Sequence, residues 1–345
     1  MRNSLPLWTS HGSGIVQLRL PLPFALKQVN AYLLQAADGW TVVDAGLRTP
    51  EAEAAWETFM SQAGLEWRDI VRIVVTHYHP DHYGLSGWLQ TRTQAEVWLS
   101  ETASRYAQRL WGENETFSAE LVSAFRAHGL PEPLCDGVSG HLESVKRQVL
   151  PHPVRTRAIG AGDLLSFGGA RWEAIGGEGH APGHLAFYDS DRRIMLCGDQ
   201  VLPDITPNIG WMAGGDPDPL GSYLASLDRM AACGVDMAYP GHREPFAGFG
   251  RRVTELREHH VRRLVRMEAL ASELSAINNK GRLTAFAMCE ALFGERIGGN
   301  PHNLRFAMAE TIAHMERMTS DRTLVQERES DSGSGASRIY YRTAR

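Results

Sequence analysis

Cysteine is scarce in this chain and scattered. Four residues, Cys135, Cys197, Cys233 and Cys289, stand among 345, with no C-x-x-C pair. That spacing excludes a disulfide framework and a zinc knuckle built on paired thiols. Buried free thiols in a reducing compartment are the expectation. No run of roughly 18 apolar residues occurs, so no membrane-spanning helix is expected. The opening Met-Arg-Asn-Ser-Leu-Pro lacks an apolar core followed by a small-residue cleavage site. A secretory leader is therefore not expected, and a cytoplasmic location is. Charge of one sign is lacking too: 35 Lys+Arg against 40 Asp+Glu leave a net charge of −5, too mild to imply a polyanionic partner. No internal repeat is present.

What remains is an ordinary soluble composition, 43% hydrophobic and 22% charged, long enough for about two domains. The charge is unevenly spread. Residues 1–250 carry 19 basic against 28 acidic side chains, a net of −9, and residues 251–345 carry 16 against 12, a net of +4.

Hydrophobic periodicity gives the element order. Val16 to Leu22 alternates apolar and polar residues, as a half-buried strand does. Strands at 29–34 and 40–44 follow, with the turn signal Asp38-Gly39 between them. A helix is expected over 51–63, a buried strand over 70–76, a helix near 84–90 and a strand over 95–99. Residues 101–150 look like a helical insertion, helical over 102–111 and 117–128, with Pro131 and Pro133 breaking the run. Together with 202–212 this segment is the expected builder of a substrate pocket. Strands return at 163–167, 171–175, 185–188 and 193–197, then a helix at 219–231 and a strand at 235–239. The order is that of an α/β sandwich. Beyond it come helical patterns at 254–276, 284–293 and 302–318 and a hairpin at 323–342, the outline of a winged-helix-like domain. The expected division is a catalytic domain over 1–250 and a helical C-terminal domain over 251–345.

Chemistry concentrates in His77-Tyr78-His79-Pro80-Asp81-His82, directly after the buried strand. Four such positions match by chance in about one chain per thousand. In an extended segment alternate side chains share a side, so His77 and His79 can grip one ion. Asp81 and His82 come as the chain turns, so they can serve a neighbouring position. Three later residues, His180, Asp199 and His242, each follow a strand and stand beside glycine, which permits sharp turns and close approach. Five imidazoles and two carboxylates suit zinc, and iron or manganese would also accept them.

These motifs, in this order, resemble those of the metallo-β-lactamase-fold hydrolases over roughly residues 15–250. Asp44, in Val42-Val43-Asp44-Ala45-Gly46, matches that family's early structural Asp. The resemblance implies a four-layer αββα sandwich with two metal ions at one edge. It implies His77, His79 and His180 on the first ion, Asp81, His82 and His242 on the second, and Asp199 bridging them. Gly179-His180-Ala181-Pro182-Gly183-His184 offers two histidines. Similarity to glyoxalase II-like members selects His180 as the ligand and leaves His184 as a supporting or strand-start residue.

Zinc lowers the pKa of bound water to about 7, which makes hydroxide available at neutral pH. Asp81 is the expected catalytic residue, orienting the nucleophile and taking up its proton. The C-terminal outline and the Pro240-Gly241-His242 loop resemble glyoxalase II-related, lactamase-beta-like hydrolases, which implies a small carbonyl ester such as a thioester or lactone as substrate. The alternatives are a phosphodiesterase or nuclease of the same fold, a mononuclear iron persulfide dioxygenase, and a DNA-binding regulator acting through the C-terminal domain. The acidic catalytic part and the modest charge of the tail disfavour nucleic acid. The expected partner is a small-molecule substrate, without nucleic acid or membrane, and a homodimer is left open. His259 and His260, on a charged helix, are expected to be solvated. Trp111, Trp211 and Tyr83 are expected to pack in the core.

Overall fold

The structure, a computed structural model, describes residues 5–12, 14–113, 116–277, 281–330 and 337–344. The chain divides into two compact units. The first comprises 1–113, 145–207 and 226–253, and the second 114–144, 208–225 and 254–345. Segments 114–144 and 208–225 thus cluster with the C-terminal part, whereas a single cut at residue 250 leaves them with the first.

Two sheets form the first unit. One holds β1 (Trp8–His11), β2 (Ile15–Pro21), β3 (Gln28–Ala36), β4 (Gly39–Val43), β5 (Ile70–Val74), β6 (Glu96–Ser100) and β7 (Thr156–Ile159), in that spatial order. Its first four strands run antiparallel, and β4 to β7 run parallel. The other holds β8 (Leu164–Phe167), β9 (Ala170–Gly177), β10 (His184–Asp189), β11 (Ile194–Gly198), β12 (Met237–Pro240) and β13 (Phe246–Ala247), with only β11 and β12 parallel.

The sheets face each other through one apolar core. Ile15, Tyr32, Leu34 and Trp98 come from the first sheet, and Trp172, Phe187, Leu196 and Tyr239 from the second. Each such side chain, fully buried, stabilises by about 1.5–3 kcal/mol.

Helices α1 (Pro50–Ala63), α2 (Pro80–Tyr83), α3 (Ser86–Thr93) and α4 (Glu101–Trp111) belong to the same unit. Helix α1 shows why the sequence folds here. Thr49 caps it by accepting from Ala52 N, Pro50 fits its first position, and Gly64, at φ 65°, closes it in a left-handed turn. Its stripe Ala52, Ala55, Trp56, Phe59 and Met60 is buried, and Trp56 Nε1 donates to Ala45 O at 2.9 Å. On the second sheet, Ser226 Oγ accepts from Glu178 N at 2.8 Å and Arg229 donates to Gly176 O at 3.2 Å. Both residues belong to α7 (Pro219–Ala231). The layers are those of the expected αββα sandwich.

The remaining helices are α5 (Phe117–Ala127), α6 (Glu132–Lys146), α8 (Phe249–Ile277), α9 (Ala285–Phe293) and α10 (Pro301–Ser320), followed by the hairpin β14 (Leu324–Ser330) and β15 (Ser337–Thr343). Helix α5 stops short of Pro131, as expected, but Pro133 belongs to a further helix, α6, that was not expected. Pro133 sits in the first turn, where a missing N–H costs nothing. His260 is a second correction. It is fully buried, with Nδ1 3.1 Å from His314 Nε2, because it shares the buried stripe of α8 with Val253, Leu256 and Met267. Helix α10 buries ten of its twenty side chains. The 331–336 part of the expected wing lies outside the described residues. Among the described residues no helix is long and apolar enough to cross a membrane.

Candidate metal centre

Four strand ends meet at one edge of the first unit. The 77–82 segment leaves β5, the Gly-rich turn joins β9 to β10, and Asp199 and His242 follow the parallel pair β11 and β12. Cross-ties fix their heights: Leu185 N donates to Thr76 O at 2.9 Å, and Gly241 N to Gly198 O at 2.8 Å. All seven residues singled out from the sequence come together here. His77, His79 and His180 form one cluster of candidate donors, Asp81, His82 and His242 another, and His77, His82 and Asp199 a third, with donor atoms within 4.8 Å in each.

Asp199 stands between the outer clusters. Its Oδ2 lies 3.2 Å from His242 Nε2 and 3.8 Å from His180 Nε2, and its Oδ1 lies 3.4 Å from His82 Nε2. Asp81 Oδ2 is 3.2 Å from His242 Nε2 and 3.8 Å from His82 Nε2.

The imidazoles are held by their far nitrogens. Asp44 Oδ2 takes His82 Nδ1 at 2.8 Å. Its Oδ1 accepts from Thr76 N at 2.8 Å, and both oxygens contact the Thr76 hydroxyl. Thr76 Oγ1 in turn lies 2.9 Å from His77 Nδ1, and Gln28 O lies 2.9 Å from His242 Nδ1. Three rings are thus oriented with Nε2 inward, as outer partners orient metal-binding histidines. Asp44 has φ 63°, a left-handed conformation that Asp tolerates better than most residues.

The His242 loop is clamped by buried polar groups that the sequence reading did not select. Asn30 Nδ2 donates to Pro240 O at 2.9 Å and to Arg243 O at 2.6 Å, and Asn30 Oδ1 accepts from Gln17 Nε2 at 2.9 Å. Tyr32 OH donates to Pro240 O at 2.8 Å. Arg19 reaches Gln17 Oε1 at 3.0 Å and forks onto Glu244 at 3.0 and 2.6 Å. Strand alternation suggests solvent for Gln17 and Arg19, yet they are 0% and 6% exposed. Gly241 is required by space: a Cβ there would lie 2.2 Å from Asp199 Oδ1 and 2.5 Å from His82 Cε1.

His184 belongs to none of the three clusters. It is fully buried at the start of β10, and among the described residues neither ring nitrogen has a hydrogen-bond partner. Two glycines make its room. A Cβ on Gly198 would lie 2.5 Å from Nε2, and one on Gly177 2.8 Å from Nδ1. Burial pushes its pKa down to about 3, so it is neutral.

The electrostatics ask for a cation. Burial and the neighbouring rings hold His77 and His79 well below the usual imidazole range. Burial opposes charge on His82 and His242 as well, but Asp199 and Asp81 outweigh it, raising His82 well above that range and His242 to about 10. Burial likewise opposes ionisation of Asp81 and Asp199, yet the facing histidines keep both carboxyls well below the usual range. Among the described residues, His82 Nε2 and Asp199 Oδ1 are buried and make no hydrogen bond of ordinary geometry. Inward lone pairs, ionised carboxylates and orphaned buried donor atoms fit a divalent cation, which would replace protons on His82 and His242.

Access is uneven. His77 and His82 are fully buried, while the Asp81 side chain is 20% exposed and His79 is half-buried. Trp111 Nε1 donates to Tyr78 O at 3.3 Å, so α4 supports the metal loop from beside it. Tyr83 OH lies 3.0 Å from His152 Nδ1, and Trp111 and Tyr83 are both buried. In the second unit Trp211 is only half-buried.

Comparison with known proteins adds to this geometry. A profile described as metallo-beta-lactamase superfamily matches residues 25–242, and one described as metallo-beta-lactamase-like, C-terminal domain, matches 270–334. A crystal structure of a metallo-beta-lactamase family protein from Thermus thermophilus is 34% identical, with TM-score 0.81, covering 96% of this chain and 98% of that one. The probable metallo-hydrolase YqjP of Bacillus subtilis is 24% identical across 95% of this chain and 98% of its own. An acyl-coenzyme A thioesterase of Gallus gallus is 26% identical across 69% of this chain and 82% of its own.

Proposed function

The chain belongs to the metallo-beta-lactamase superfamily, and we propose that it is a dinuclear zinc hydrolase of a small carbonyl ester, a thioester or lactone. The observation that carries this is the pair of three-donor clusters at one sheet edge with Asp199 between them. His77, His79 and His180 would hold one ion, Asp81, His82 and His242 the other, and Asp199 would be shared. When bound, such ions acidify water to a pKa of about 7 and polarise a carbonyl oxygen.

The chain's own groups do the rest. Thr76, Asp44 and the Gln28 carbonyl hold Nδ1 of His77, His82 and His242, so each Nε2 points inward as a donor atom. Asp81, the open carboxylate, orients the attacking water and holds its proton on a carboxylate oxygen. The scissile carbonyl approaches from the side of His79 and Asp81, because His77 and His82 are closed to solvent. The sulfur-ester reading draws on the thioesterase relative.

The test is a substrate panel of acyl thioesters, lactones, β-lactams and phosphodiesters on one preparation whose metal has been counted. Turnover of a thioester or lactone that vanishes on chelation and returns with zinc supports the proposal. Turnover of phosphodiesters alone, or full activity without metal, contradicts it.

A further inference from the structure

The second unit holds a cleft of about 530 Å³ that the metal centre does not use. That volume falls in the range of small-molecule sites, about 300–1,000 Å³. One wall is α5, where Ser123, Ala124 and Ala127 recur at helical spacing. The other is one face of the hairpin. Residues directly opposite in an antiparallel pair share a face, so Gln326 with Tyr341 and Arg328 with Ile339 look the same way. Trp211 supplies an aromatic side.

The polar groups are of both kinds. Glu316 Oε1 accepts from Tyr341 OH and from Gln326 Nε2, both at 2.7 Å. With its proton given to Glu316, the Tyr341 oxygen is the acceptor for His128 Nδ1 at 3.3 Å. His128 is 2% exposed and lines the cleft, edge-on to Trp211 with ring centroids 5.4 Å apart, and its remaining nitrogen, Nε2, is then an acceptor. Burial, with the Arg328 charge adding, pushes its pKa down to about 4, so it is neutral. Glu120 adds a carboxylate on α5. Two residues along the strand from Gln326, roughly 7 Å away, stands Arg328. It is exposed and makes no ion pair among the described residues.

Acceptors and a guanidinium lining the same cleft select against ligands of a single charge. An anion without a donor would meet Glu316 and Glu120, and a cation without an acid would meet Arg328. We propose that this cleft binds a small zwitterion of amino-acid or dipeptide size, its ammonium on Glu316 and His128, its carboxylate on Arg328, and an aromatic or branched side chain against Trp211, Ala124 and Ile339.

Calorimetric titration of the full, metal-loaded chain tests this with phenylalanine, phenylalanine-containing dipeptides, phenylpropionate and phenethylamine. A zwitterion should bind at least about tenfold tighter than either single-charged analogue. Arg328→Ala, at an exposed position, should bring the zwitterion down to the level of phenethylamine. Glu316→Gln keeps an acceptor for Tyr341 and Gln326 and should weaken the zwitterion but not phenylpropionate. Trp211→Phe should remove the fluorescence change on binding. Metal content should be unchanged in all three variants, which separates this site from the hydrolytic one. No saturable binding, equal binding of a single-charged analogue, or unchanged affinity in Arg328→Ala would overturn the proposal.

Discussion

Replacing Asn30 by Asp should cost the protein its second metal ion before its first. The side-chain amide sits between the carbonyls of Pro240 and Arg243, at 2.9 and 2.6 Å, and gives a proton to each. A carboxylate there presents lone pairs to lone pairs, in a strand where Asn30 is 1% exposed. Pro240 O keeps Tyr32 OH as a donor, so the buried carbonyl that loses its short donor is Arg243 O, and stability should fall by about 1–3 kcal/mol. The displaced segment is 240–243, which carries His242 but none of His77, His79 or His180. Outer partners of metal ligands change affinity by about 10–100-fold, and that loss should fall on the Asp81–His82–His242 cluster. Metal analysis after dialysis against graded chelator should give two ions in the parent and one in the variant, with urea unfolding read alongside. Asn30→Ala, which removes the donors without adding charge, should fall between the two. An Asn30→Asp protein that keeps both ions at parental affinity would show that the clamp does not position His242.

Three further outcomes follow from the same geometry. His180→Ala should lose the first ion, while His184→Ala should keep both and lose only folding stability; metal counts that come out the other way round would reverse the assignment of the two histidines. Gly241→Ala, whose Cβ falls 2.2 Å from Asp199 Oδ1, should bind the second ion poorly yet fold, and parental metal content would show that the loop can yield. Burial holds His260 and His314 down to about 2 and 3. The unfolded chain protonates them below pH of about 6.5 while the folded chain does not, so stability should fall as pH drops from there toward 3, by up to about 1.4 kcal/mol per group per unit. Denaturant midpoints of chelated protein at several pH values should show a shallower slope for His314→Asn than for the parent, and parallel slopes would refute the linkage.

The candidate metal donors were legible in the sequence because metal chemistry restricts such donors to few residue types, and because each follows a strand whose apolar run can be read. His77, Asp199 and His242 stand where a strand meets a turn, and converging strand ends do the rest. What supports them was not legible. Gln17, Arg19 and Asn30 are polar residues in alternating strands, a pattern that normally means solvent, and only the tertiary position of the 240–244 loop turns that face inward. Thr76 is silent for a similar reason, since its role depends on Asp44 lying beside it. The edge strands β1 and β7 are short, four residues each, and carry too little pattern to stand out. Helix α6 was hidden by Pro133, whose position in the first turn, rather than mid-helix, decides its effect. His260 was misjudged because the charges around it dominate α8 while its own place on the buried stripe depends on His314, 54 residues away.

The most direct measurement is anomalous scattering from crystals grown with zinc, recorded on both sides of the zinc edge. Two peaks should appear, one within bonding distance of His77, His79 and His180 and one of Asp81, His82 and His242, with Asp199 reaching both. A single peak, or zinc bound through His184 and away from Asp199, would contradict the dinuclear assignment.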